Sequence, residues 1–76
     1  SPASDNFNVA FDVTSNNNID IFILNSVGAV VKSKNLSNIS GAQNINFDAS
    51  ELANGLYFIK LKSGENMITK TVNISK

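Results

Sequence analysis

The chain is 76 residues long and weighs 8.1 kDa, with six lysines against six acids, no net charge and a pI of about 6.0. That is room for one small domain, and the missing positive surplus argues against a nucleic-acid partner or a polybasic membrane anchor. Histidine, cysteine, tryptophan and arginine are absent. With them go the imidazole base, the thiolate nucleophile, cysteine-held metals and the guanidinium clamp, so no catalytic residue, metal site or cofactor is expected and an enzyme is not expected. At 42% hydrophobic the chain reads as globular, and without cysteine its core must hold unaided. The longest apolar runs fall well short of the ~18 residues of a membrane-spanning helix. The sequence opens at Ser1 without an initiator methionine and reads as a piece of something longer.

Period-two alternation dominates the chain. Phe7, Val9, Phe11 and Val13 fall on one face and Asn8, Ala10 and Asp12 on the other, the pattern of a half-buried strand. Ser15 to Asn18 forms a polar cluster that predicts a turn. Ile19, Ile21 and Ile23 alternate with Asp20, Phe22 and Leu24, so the next strand is apolar on much of both faces and belongs in the middle of a sheet. Asn25-Ser26-Val27-Gly28 predicts a tight turn, with Gly28 suited to a positive φ. Ala29 to Leu36 is the return strand, with Lys32 and Lys34 expected to point outward.

Ser37 to Ala42 reads as a loop, and Gln43 to Asp48 alternates again through Ile45 and Phe47. Ala49 to Ala53 is helix-friendly but spans barely one turn, ended by Asn54-Gly55. Leu56 to Lys62 places Tyr57, Ile59 and Leu61 on one face, with Leu56, Phe58, Lys60 and Lys62 on the other. Ser63-Gly64-Glu65-Asn66 turns the chain into Met67 to Ser75, where Ile68, Val72 and Ile74 share a face. Lys70 interrupts that face, which suggests an edge position or a bulge. Short strands at regular spacing predict an all-β fold: a small antiparallel immunoglobulin-like β-sandwich of six to seven strands with at most one short helical turn.

Few residues suggest chemistry. Asp48 and Glu51 are read as a capping pair on the single helical turn rather than as an acid and base. Asn16-Asn17-Asn18 with Asp20 offers oxygen atoms but lacks the spacing of a calcium loop, so a solvated turn is expected. Three Asn-x-Ser sequons, at Asn35, Asn38 and Asn73, are close to the roughly two that chance supplies at this composition. Phe7, Phe11 and Phe47 share faces with core residues and are assigned to the core, not to a stacking platform. Tyr57, the lone tyrosine, follows a turn at the start of a strand. There its hydroxyl is expected to return to upstream backbone, as in the tyrosine corner of sandwich folds.

Four blocks taken in order resemble one family. They are Ser1-Pro2-Ala3-Ser4-Asp5-Asn6-Phe7-Asn8-Val9, Leu24 to Val31, Asp48 to Leu61 and Thr69 to Lys76. The chain resembles, from end to end, the type A C-terminal sorting domain of the type IX secretion system of Bacteroidota. The resemblance implies that residues 1–76 are a single sorting domain excised from a larger secreted protein. It implies a secretion signal that directs covalently attached upstream cargo from the periplasm across the outer membrane to the surface or the medium. Its partners would be the outer-membrane translocon, its shuttle proteins and a cysteine-protease sortase that removes the domain.

Carried over by position, Pro2 marks the opening motif, Gly28 the hairpin, and Leu52, Gly55 and Tyr57 the turn-strand motif. Gly64 marks the last turn, and Lys70 with Lys76 the terminal motif. The competing reading is a fibronectin-like or carbohydrate-binding accessory module of a secreted enzyme or adhesin, though a sugar-stacking face is poorly supplied without tryptophan. Exposed sheet edges also allow an edge-strand dimer.

Overall fold

The computed structural model describes residues 5–76, apart from the side chains at 14–17. These residues form four strands: β1 (Asn6–Leu24), β2 (Val30–Asp48), β3 (Gly55–Ser63) and β4 (Asn66–Ile74). They make one antiparallel sheet in the order β2-β1-β3-β4. The all-β antiparallel expectation therefore holds, whereas six or seven strands in two sheets become four strands in one. Straight, a 19-residue strand would run about 60 Å at ~3.3 Å per residue. The longest extent of the molecule is 36 Å. β1 and β2 must bend, and the sheet curls until its own inner face encloses the core.

The bends lie where the sequence suggested breaks. Between the pairs Val13↔Gly41 and Asn17↔Ile39, residues 14–16 of β1 stand opposite Ser40 alone. Residues 37–38 of β2 then stand opposite Asn18 before Ile19↔Leu36 restores the ladder. Ser15 to Asn18 is thus a bulge within β1 rather than a turn, and Ser37 to Ala42 is strand rather than loop. Extra residues in a ladder raise local twist and bend, so hydrogen bonding continues around the corner. Asn38 adopts φ 54°, which asparagine tolerates better than most residues. Its amide donates to Asn18 Oδ1 at 3.3 Å across the bulge.

The inner face follows the alternation. Phe7, Val9 and Val13 join Ile19, Ile21 and Ile23 of β1, Phe47 of β2, and Tyr57, Ile59 and Leu61 of β3. Ile74 of β4 and the Ala49 and Leu52 side chains complete the core, with no buried polar or charged residue among those described. Phe7 and Phe47 are cross-strand partners with ring centroids 5.5 Å apart and planes 19° from parallel. Phe11 lies half-buried against this cluster. As expected, the isoleucine-rich half of β1 is central, paired with β2 on one side and β3 on the other.

Register corrects one sequence reading and decides another between its alternatives. Lys32 pairs with Ile23 and Lys34 with Ile21, both isoleucines being wholly buried. Antiparallel partners share a face, so these lysines lie on the core side of β2 and not on the outside. Being on an edge, they reach solvent past the rim. The β3–β4 ladder is also regular throughout, so Lys70 sits at an edge, as one alternative held, but without a bulge.

Candidate recognition surface

The turn between β2 and β3 is built from local hydrogen bonds. The Ala49 carbonyl accepts from the Leu52 amide at 3.0 Å, one three-residue turn with no helix following. Asp48 Oδ1 accepts from the Ser50 amide at 2.9 Å, the capping half of the expected pair. Glu51 is exposed and makes no reciprocal bond among the described residues, so the capping box is incomplete. The Ser50 backbone bond, chiefly, then the Ser50 hydroxyl and the charges of Lys32 and Lys76, hold the Asp48 carboxyl below the usual carboxylate range; slight desolvation opposes them.

Leu52 tucks into the core beneath this turn. Tyr57 is buried, and its hydroxyl donates to the Ala53 carbonyl at 2.8 Å. The tyrosine corner forms as expected. Gly55, at φ 147°, has open space where a Cβ would project, so its constraint is backbone conformation and not crowding. Lys76 fastens the end of β4 to the same turn: its amide donates to Asn54 Oδ1 at 3.0 Å and its ammonium to the Ser50 carbonyl at 2.6 Å.

Beside this turn lies the β1–β2 hairpin. Gly28 closes it by donating to the Asn25 carbonyl at 3.0 Å, and Asn25 Oδ1 accepts from the Val27 and Ala29 amides. Asn25, Val27, Asn54, Leu56 and Tyr57 border a cleft of about 240 Å³ between the two turns. Gly28, Leu52, Gly55, Tyr57 and Lys76 are thereby gathered at one end of the sheet. Gly64 lies at the far end of β3, about 27 Å away at ~3.4 Å per residue. There it takes φ 59° in the two-residue loop between Ser63 and Asn66. Lys70 stands between, on β4, and its ammonium donates to the Ala10 carbonyl at 2.8 Å. Pro2 lies outside the described residues.

Sequence reasoning read Asp48 as a cap but passed over Asn25 and Asn54 as functional positions. Each is a short polar side chain beside a turn, and each satisfies backbone donors there. That placement was the available signal.

Fold and surface together define a small antiparallel β domain whose distinctive groups are tethered turns and free strand edges. Comparison with curated proteins finds no match. The family described as secretion system C-terminal sorting domain matches residues 1–75. The chain belongs to this family, that of the type IX secretion C-terminal sorting domains.

Proposed function

We propose that residues 1–76 are the delivery signal of a secreted protein, read by the outer-membrane translocon and its shuttle proteins and then cut off by the sortase. The domain is a substrate in this reading and not a catalyst. Its cargo is covalently attached on the amino-terminal side and travels through the periplasm to the surface or the medium. Family membership supports the sorting role; the character of β4 supports the manner of recognition.

The observation that carries the reading is the free edge of β4. Edge strands are normally blunted by bulges, proline or charged side chains, because unpaired amides and carbonyls invite another strand; β4 carries one such charge, Lys70. β4 runs nine residues in unbroken register with β3 and, among the described residues, has no strand on its other side. Asn66 through Thr71 are exposed, while Ile74 and Lys76 anchor the strand at its end. A receptor adding its own strand gains main-chain hydrogen bonds whatever the cargo, and pockets for alternate side chains give selectivity.

Deleting Asn73–Lys76 from a cargo fusion removes both anchors and the end of the edge. The truncated fusion is expected to stay in the periplasm. Normal surface display of that fusion contradicts recognition through an ordered β4.

A further inference from the structure

β1 is paired unevenly. From Asp20 to Leu24 it has β2 on one side and β3 on the other, but from Asn6 to Val13 it pairs with β2 alone. Among the described residues, one side of this stretch is therefore a second free edge. The curl of the sheet sets it across an opening from β4. Among the described residues no Cα of β1 comes within 8 Å of a Cα of β4. Lys70 nonetheless bridges the opening to the Ala10 carbonyl.

The bridge measures the gap. A lysine reaches about 6 Å from Cα to Nζ, and the hydrogen bond and carbonyl extend this to roughly 11 Å. The strands at Lys70 and Ala10 are thus separated by more than 8 Å and at most about 11 Å. Two inter-strand spacings are about 9.6 Å. The interval is wide enough to admit one added strand.

Its floor is mainly apolar. A cavity of about 170 Å³ is bordered by Phe11, Val13 and Ile19 of β1, Leu61 of β3 and Ile68 of β4, together with the polar Asp12, Ser63 and Asn66. Ile68 is more than half exposed although it faces the core side opposite Leu61. Lys70, on the same side of β4, has among the described residues only a neutral carbonyl as hydrogen-bond partner.

We propose that this opening is a strand-acceptor site for an extended segment of another protein. That segment carries aliphatic side chains at alternate positions and a carboxylate opposite Lys70. Its backbone pairs with the free side of Asn6–Val13, its aliphatic residues fill the cavity, and it displaces Lys70 from Ala10. The displaced ammonium would otherwise lose its acceptor beside apolar surface, and a carboxylate replaces it with a stronger, charge-assisted bond. This complementarity favours a single carboxylate at Lys70 over a neutral or basic side chain there, while Asp12, two residues along from Ala10, disfavours further acids in the segment. The site borders the same unpaired side of β4 but does not depend on which machinery exports the domain.

The test titrates the 76-residue chain with a nine-residue capped peptide of alternating valine and threonine with a central glutamate. A matching peptide has a central lysine. The glutamate peptide is expected to produce saturable amide shifts and slowed hydrogen exchange within Asn6–Val13, and to bind at least tenfold tighter than the lysine peptide. Lys70→Arg retains this preference, Lys70→Met abolishes it, and Lys70→Glu reverses it, each variant first verified as folded by its amide spectrum. Absent binding, protection confined to the free side of β2, or indifference to the peptide's charge overturns the proposal. So does protection of Asn6–Val13 that rises with protein concentration alone, because a second copy is then the occupant. Export of a fusion can succeed or fail independently of every one of these outcomes.

Discussion

Two isoleucines on β4 offer a direct contrast. Ile68 and Ile74 share its inner face, yet Ile68 is 55% exposed and Ile74 only 1%. Ile74 lies opposite Gly55, which has no side chain, so its own side chain fills that part of the core. Replacing it by alanine removes three carbons, about 2.4 kcal/mol at ~0.8 kcal/mol each, before any cavity is counted. Incomplete collapse adds to this, for a total of about 3–4 kcal/mol. A domain of this length has roughly 4–11 kcal/mol in all. Ile74→Ala should therefore lower the Tm by about 12–30 °C, at ~4–8 °C per kcal/mol. Ile68→Ala should cost less than about 1 kcal/mol, because much of that side chain is already in water. Circular-dichroism melts measure both variants, and hydrogen exchange should show β4 losing protection first in Ile74→Ala. Equal shifts for the two variants, or a loss under 4 °C for Ile74→Ala, would refute the docking of β4 described here.

Tyr57→Phe deletes the hydroxyl bond to Ala53 and leaves the ring buried. A loss of about 1 kcal/mol is expected in denaturant titration, near the middle of the range for a net hydrogen bond. Gly64→Ala forces a side chain into φ 59° and should cost about 1–2 kcal/mol, whereas Gly64→Asn should recover part of that loss. For Asp48 the folded-state pKa is depressed, so its contribution is present above the unfolded value and is lost as pH falls through the folded value. Stability measured from pH 5 downward should therefore decline more steeply in the wild type than in Asp48→Asn, whose amide oxygen still accepts from Ser50.

The alternation of Phe7 to Val13, Ile19 to Ile23 and Tyr57 to Leu61 placed the core correctly, because side chains on a pleated strand must alternate. The Tyr57 corner was equally legible, since turn, strand start and hydroxyl lie within five residues. The continuity of β1 and β2 was not. Polar residues with glycine look the same in a turn and in a bulge, and only the partner strand decides between them. The facing of Lys32 and Lys34 turned on parity: an extra residue opposite the step from Ile23 to Leu24 moves the neighbouring side chains to the other face. The bond from Lys70 to Ala10 joins positions 60 apart in sequence, which local pattern does not register. The free side of Asn6–Val13 escaped notice for the same reason, since it follows from the curl of the whole sheet.

The central claim is that these residues suffice to direct export. Residues 1–76, fused behind a periplasmic reporter, should bring it to the surface or medium of a type IX-competent host, with the domain removed, and should fail to do so in a host lacking the translocon. Equal retention of the reporter in the periplasm of both hosts would contradict the account.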